Sequence, residues 1–265
     1  MHHQTHPRPV PLQEPAQRNA GWKPFALATL SVWTAGFLAQ AYSRFDGAPA
    51  QVSAWCRAFG VDPFRTFGRF ELWRLFTYAC LHENLVHLLL NVICLVGLGA
   101  ALTRRLGAPR AISYALAGCV VGGIASGAVA FLSPGLPVIG GTGLVSGLAA
   151  VYLAVCGSDV LLYVGARPVP AGALVHVLLL GSLVASVAGG QMANLAQAFG
   201  AFGGWLCFRL EPGLARWLLR RRLLYYEREL ERERELVENV DQILAKVHQA
   251  GLDRLTRRER SLLKQ

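Results

Sequence analysis

Two polar side chains lie one helical turn apart inside an otherwise apolar run of the sequence. His87 and Asn91 fall within residues 84–102, where most neighbours are aliphatic. Residues four apart share one face of a helix, and polar groups inside a long apolar segment cost free energy, so they usually have a function. Two hydrogen-bond donors aimed at one place are what a developing oxyanion needs, so the pair predicts oxyanion stabilisation.

A hydroxyl stands at a glycine-rich junction further along the chain. Thr142 follows Gly140 and Gly141 and precedes Gly143, at the start of an apolar segment. A side chain at a loop-to-helix junction is exposed, has backbone N–H groups beside it and lies at the positive end of the helix dipole. These conditions suit a nucleophile. The same residues also suit a helix N-cap with close packing behind it, and the sequence alone leaves both interpretations open.

A carboxamide occupies the last apolar segment. Gln197 lies three and seven residues before Gly200 and Gly204. Spacings of three and four place all three residues on one helical strip, and small residues on such a strip allow another helix to approach closely. Gln197 is therefore predicted to face the interior of a helix bundle.

The elements that would position these residues are membrane-spanning helices. The chain has 265 residues, of which 53% are hydrophobic and 16% are charged, with a mean hydropathy of +0.37; an ordinary soluble domain has about 25% charged residues. A spanning helix needs about 20 apolar residues, and six segments approach that length: residues 24–42, 84–102, 111–132, 143–164, 171–187 and 194–210. The sequence therefore predicts an all-α membrane protein with six spans and argues against a soluble protein.

Basic residues flank these segments. The formal net charge is +10, but the bases do not cluster with exposed aromatic residues, so the lipid bilayer and not nucleic acid is the predicted environment. Counting the bases close to the spans places both termini in the cytoplasm and the loop of residues 43–74 outside. The sequence has neither a CxxC nor an HExxH pattern, so we expect no metal and no cofactor.

The two ends of the chain differ from the membrane domain of residues 23–211. Residues 1–22 are polar and rich in proline and predict a disordered cytoplasmic leader. Residues 212–265 predict a cytoplasmic tail, in which the alternating Glu and Arg of residues 227–235 indicate a solvated helix. An apolar stripe, Gly251 and a capping-box pattern then predict a small helical hairpin, which is a candidate surface for a partner or a neighbouring subunit.

Together, these features resemble the rhomboid family of intramembrane serine proteases over about residues 70–208. The motifs that carry the resemblance occur in the family's order, and each sits at the matching span or loop. They are Trp73-Arg74 in the first loop; His82, His87 and Asn91 at the second span; Gly140-Gly141-Thr142-Gly143 at the fourth; and Ala196-Gln197, Gly200 and Gly204 at the sixth. The resemblance implies a six-helix rhomboid-type bundle, with His87 and Asn91 as oxyanion donors.

Two positions depart from the family pattern. Thr142 stands where the family has its serine nucleophile, and Gln197 stands where it has the histidine base. Threonine keeps a hydroxyl, although its methyl group stiffens and crowds the side chain. A carboxamide cannot shuttle a proton near neutral pH, and loss of general-base catalysis typically costs a factor of about 10² to 10⁴.

The resemblance and the departures together predict a catalytically impaired relative, in the inner membrane of a bacterium, that binds transmembrane segments of client proteins. The alternative is an active intramembrane endopeptidase that uses Thr142 as its nucleophile. Two rescues of activity are weighed beside it: Ser146, one turn after Thr142, as a displaced nucleophile, and His176 or His82 as a substitute base. The sequence predicts neither the client nor the oligomeric state.

Overall fold

The computed structural model describes residues 21–43, 54–132, 137–156, 161–164, 167–170, 172–173, 180, 195–250 and 256. Their elements follow one another in the order α1 Trp22–Ser43, α2 Ala54–Phe59, α3 Arg74–Thr77, α4 Leu85–Leu106, α5 Ala108–Leu132, α6 Thr142–Cys156, β1 Leu161–Val164, β2 Arg167–Pro170 and α7 Leu195–Ala250. A π-helical turn at Phe64–Gly68 precedes α3, and a 3₁₀ turn at Tyr78–Cys80 follows it. The predicted all-α membrane architecture is confirmed, with one antiparallel pair of four-residue strands added to the helices.

Three of these helices have the length and apolar composition to cross a bilayer. They are α1, α4 and α5, with mean hydropathies of 1.2, 2.3 and 1.8 over their apolar stretches. Each lies within four residues of the predicted first, second and third spans. α6 is also apolar, but it is shorter.

The predicted fourth span is too long at its C-terminal end. The helix ends at Cys156 and not at residue 164, and Leu161–Val164 forms β1, which pairs in antiparallel register with β2. Gly157, Ser158 and Asp159 follow the helix in sequence, and these are poor helix formers. A run of four apolar residues cannot be assigned to helix or strand by its periodicity. For this reason the end of the fourth span is predicted too late from the sequence.

The later elements agree only in part with the predicted spans. Most of the predicted fifth span lies outside the described residues, as does the leader. α7 begins within the predicted sixth span and continues without a break to Ala250, directly before Gly251. By its internal contacts the chain divides into two compact units, Met1–Arg209 and Leu210–Gln265.

The core of the first unit is built around α6. Its residues 143–149 are all buried, and large side chains of α4, α5 and α6 itself belong to the same core. These fully buried residues are Leu95, Leu102, Tyr114, Leu148 and Tyr152. Residues on every side of this part of α6 are therefore enclosed by protein, whereas Ala154 in its second half is exposed.

Glycines let three helices approach backbone to backbone along α6. A Cβ built on Gly118 of α5 would lie 2.6 Å from the carbonyl oxygen of Gly143, and one built on Gly200 of α7 would lie 2.5 Å from the same oxygen. One turn further on, Gly204 faces Gly147 just as closely. Small residues at helix interfaces are the usual means of close packing in membranes, and here they fix the first turns of α6 and α7 against each other.

The segment between α1 and α4 is folded against the bundle. Arg74 is 2% exposed and donates to the carbonyl oxygens of Gly60 at 2.8 Å and Arg57 at 3.0 Å. It also forms an ion pair with Glu71, at 2.6 Å. Val61 and Val138 exchange two backbone hydrogen bonds of 2.9 Å, so this segment is joined to the loop that leads into α6.

Candidate active site

The loop before α6 places Thr142 close to His87, which lies on α4. Gly140 has φ +127°, a conformation that glycine adopts readily and other residues rarely. A Cβ built on Gly140 would lie 2.9 Å from Cε1 of His87 and 3.7 Å from Oγ1 of Thr142. The imidazole and the hydroxyl therefore flank one backbone position that only glycine leaves open.

A backbone hydrogen bond anchors this loop. The N–H of Gly140 donates to the carbonyl oxygen of Tyr78 at 2.9 Å. Tyr78 is fully buried, and its hydroxyl donates to the carbonyl oxygen of Cys119 at 2.8 Å. The same hydroxyl would lie 2.6 Å from a Cβ on Gly143, next to Thr142. Burial raises the pKa of the Tyr78 phenol well above its usual value of 10.0, so the side chain remains a neutral donor.

The start of α4 holds His87 in place. Asn84 caps the helix, and its side-chain oxygen accepts from the N–H of His87 at 2.8 Å. Nδ2 of Asn91 donates to the carbonyl oxygen of His87 at 3.0 Å. Nε2 of His87 is buried and has no hydrogen-bond partner among the described residues. A buried polar atom without a partner is costly, so this nitrogen is available to a group that enters the site.

His82 forms the wall behind His87. Its ring lies edge-on to Trp33, with centroids 5.0 Å apart, and edge-on to His87, with centroids 5.3 Å apart. Its backbone N–H donates to Oε1 of Gln40 at 3.1 Å. Burial, helped by the neighbouring His87, lowers the pKa of His82 to about 3. His82 is thus neutral at physiological pH, where it serves as a packed ring.

Gln197 reaches the site through its helix. It is half-buried in the first turn of α7. The carbonyl oxygen of the preceding Ala196 would lie 3.4 Å from a Cβ on Gly143, and Gly200, one turn later, touches Gly143 directly. The turn of α7 that bears Gln197 therefore adjoins the turn of α6 that begins with Thr142.

The four residues named from the sequence are thus brought together to different degrees. His87 and Thr142 flank one glycine, Gln197 lies on an adjoining helical turn, and the carboxamide of Asn91 binds the backbone one turn back on its own helix. Of the two rescues, Ser146 is 2% exposed inside α6, and His176 lies outside the described residues. The described residues contain no cluster of three or more His, Cys, Asp or Glu side chains that could hold a metal ion.

Sequence reasoning missed three residues that build the site. Trp33 packs on Gly141, where a Cβ would lie 2.6 Å from its ring. Gln40 bridges His82 and Cys56, donating to Sγ of Cys56 at 3.0 Å, and Tyr78 anchors Gly140. The signal for Gln40 was present, since a carboxamide in an apolar span requires a partner. Nothing in the local sequence marks Trp33 or Tyr78 as neighbours of Thr142.

Comparison with known protein families matches the part of the chain that contains these residues. The family described as Rhomboid domain matches residues 69–210. The match begins in the folded first loop, includes His87, Asn91, Thr142 and Gln197, and ends where the first compact unit ends. It covers more than half of the 265 residues. The chain therefore belongs to the rhomboid family.

Proposed function

We propose that this protein is a rhomboid relative that binds transmembrane segments of other membrane proteins without cleaving them. Rhomboid-domain proteins are generally intramembrane proteases that act on transmembrane substrates within the lipid bilayer. In this proposal the protein retains the substrate-binding site of the family and has lost the ability to cleave the substrate. The protein then serves as a receptor for membrane segments, with His87, Asn91, Thr142 and Gln197 in its site.

The observation that carries the proposal is the close approach of the turn of α7 that bears Gln197 to the start of α6. α7 approaches the start of α6 through Gly200 and Gly143, at 2.5 Å between a built Cβ and the carbonyl oxygen. In the proposal the residue on this turn of α7 that stands at the family's base position is Gln197. A glutamine orients a hydroxyl by hydrogen bonding and does not accept its proton.

The surrounding framework supports binding. The loop that presents Thr142 keeps its glycine with a positive φ, its hydrogen bond to Tyr78 and its wall of Trp33 and His82. The unsatisfied Nε2 of His87, in the tautomer that carries its proton there, supplies a donor for a peptide carbonyl. A site held this firmly can bind an extended segment even though the proton-transfer step is lost.

A second candidate function is an active endopeptidase with Thr142 as nucleophile. The observation in its favour is the position of His87, whose ring flanks the same glycine as the Thr142 hydroxyl. If an unrecognised base or water deprotonated the hydroxyl, His87 would stabilise the oxyanion. The two functions predict the same site and differ only in hydrolysis.

The deciding experiment measures cleavage of a transmembrane substrate, and labelling by a fluorophosphonate, with the protein in proteoliposomes. We expect neither reaction with the native chain and little change for Thr142→Ser, which supplies no base. Gln197→His should give weak reactivity, and the double variant should exceed the sum of the two single variants, because a nucleophile and its base act as a unit. Robust cleavage by the native chain that Thr142→Ala abolishes would establish the second function instead.

Binding is tested separately with a photoreactive amino acid. We would incorporate p-benzoylphenylalanine at position 142 and, as a matched control, at the exposed Ser113 of α5. A labelled transmembrane peptide in the same vesicles should crosslink at position 142 and not at position 113. Equal crosslinking at the two positions would contradict the binding proposal without bearing on hydrolysis.

A further inference from the structure

The part of α7 in the second unit carries an apolar stripe at coiled-coil spacing. Steps of four and three residues alternate along it, and only Glu233 interrupts the apolar series. The stripe, called here the tail seam, consists of Leu219, Leu223, Tyr226, Leu230 and Val237. This spacing of 3.5 residues is the heptad repeat that keeps one face of a helix against a partner helix.

The tail seam is uncovered. Leu219, Leu223, Leu230 and Val237 each expose more than half of their surface, and Tyr226 exposes 48%. The next positions at this spacing are Val240, which is half-buried, and Leu244, which is 51% exposed. A solvated single helix explains the alternating Glu and Arg of this region, but it does not explain why apolar residues recur in heptads and remain exposed.

Charges beside the tail seam match those of a second copy in parallel register. In a parallel two-stranded coiled coil, the residue before an a position faces the residue five places further on in the other helix. With Leu223 and Leu230 at a positions, Arg222 faces the partner's Glu227, and Glu229 faces the partner's Arg234. Both pairs are attractive, and each occurs twice in a symmetric dimer. The guanidinium of Arg222 already lies 5.8 Å from the Tyr226 ring, beside the seam.

Membrane anchoring favours the same orientation. α7 begins at Leu195 in the membrane domain and continues through the tail as one helix. Two copies inserted with the same topology in one bilayer extend their tails from the same face, so the helices meet in parallel. Confinement to the bilayer also raises their effective concentration. We propose that the tail seam pairs with that of a second copy of this chain, as a parallel two-stranded coiled coil of residues 219–237.

Glu233 provides a sensitive test of the proposal. It occupies a seam position, where two carboxylates of a dimer would face each other and weaken the association. We expect Glu233→Leu to tighten the dimer of the full-length protein in detergent by about tenfold or more, and Leu230→Asp to weaken it by about a hundredfold, since two buried leucines are lost. Glu231→Leu is the matched control: it makes the same chemical change off the seam and should leave the dimer unchanged. Light scattering and native mass spectrometry measure each monomer–dimer equilibrium.

Disulfide crosslinking in native membranes tests the register. No native cysteine follows Cys207, so Val237→Cys introduces a single thiol at the seam and Glu235→Cys introduces one on the opposite face. Under mild oxidation Val237→Cys should give a covalent dimer that the parent protein and Glu235→Cys do not give. A protein that stays monomeric even with Glu233→Leu, equal crosslinking at the two sites, or crosslinking of the Val237→Cys variant to a different protein alone would overturn the proposal.

Discussion

At the scale of single residues, the site depends on what threonine and glutamine keep and what they lose. Thr142 keeps a hydroxyl at the start of α6, and Gln197 keeps a hydrogen-bonding group on the adjoining turn of α7. Neither can accept the proton that an attacking hydroxyl must lose. The ring of His87 and the hydroxyl of Thr142 still flank Gly140, and the proposed function therefore keeps binding and loses cleavage.

The burial of His82 should make the free energy of unfolding depend on pH. Burial lowers its pKa from 6.5 to about 3, so the unfolded chain binds a proton below about pH 6.5 that the folded chain refuses. The free energy of unfolding should therefore be highest above pH 6.5 and fall as the pH falls toward 3. We expect His82→Gln to show a shallower decline of the thermal midpoint between pH 7 and pH 4, and the exposed His248→Gln to follow the native curve. Identical slopes for native and His82→Gln would contradict this assignment.

At the scale of elements, the loop before α4 and the glycine contacts of α6 set the position of the site. Arg74 donates to a backbone carbonyl within this folded loop, and Val61 forms backbone hydrogen bonds with Val138 in the loop that leads to Thr142. The glycines of α5, α6 and α7 then fix how closely the helices approach. A change in either set should affect stability without touching a reacting group.

Replacement of Arg74 should show the importance of its buried ion pair. Arg74→Ala leaves Glu71 and two carbonyl oxygens without their donor, and we expect it to lower the free energy of unfolding by about 3–5 kcal/mol. Arg74→Lys keeps the charge without the guanidinium fork and should lose less. Unfolding by sodium dodecyl sulfate, followed by circular dichroism, measures both. The exposed Arg69→Ala should stay within about 0.5 kcal/mol of native, and an equal loss for Arg69→Ala and Arg74→Ala would refute this role.

The contact between α6 and α7 can be tested with one methyl group. Gly200→Ala would place its Cβ 2.5 Å from the carbonyl oxygen of Gly143, so the helices must separate, at a cost of about 1–3 kcal/mol. Gly97→Ala in α4 adds the same methyl group where nothing lies within 4 Å, and it should be neutral or stabilise by up to about 1 kcal/mol. The same unfolding assay compares the two variants. A Gly200→Ala protein as stable as Gly97→Ala would show that the helices are not in this contact.

At the scale of the whole molecule, the chain joins a membrane bundle to a long charged helix. The match to the rhomboid family covers residues 69–210, and the tail extends beyond it. We propose that the bundle binds membrane segments and that the tail seam associates two copies. A parallel dimer would thus place two such sites in one assembly.

The orientation in the membrane follows from the basic residues near the spans. We propose that both termini are cytoplasmic, as the bases around residues 104–110 and 209–222 indicate. A fluorescent protein that matures only in the cytoplasm should fluoresce when fused after Gln265. A cysteine introduced at Phe70, which is 76% exposed in the loop between α1 and α4, should react with an impermeant maleimide added outside intact cells. A dark fusion, or labelling at position 70 only after lysis, would reverse the topology.

The sequence by itself determined the membrane class, the first three spans and the family resemblance, because hydrophobic runs and motif spacings are local properties. It also marked Thr142 and Gln197 as departures from the family pattern, since that requires only a residue type at a position. Tertiary structure alone decided that Gly140 separates His87 from Thr142, that Trp33 and Gln40 support His82, and that Arg74 is buried. These contacts join residues that are far apart in the chain, such as His82 and Gln40 at a separation of 42 positions. The early end of α6 belongs with them, because four apolar residues fit a helix or a strand equally well until their neighbours are known.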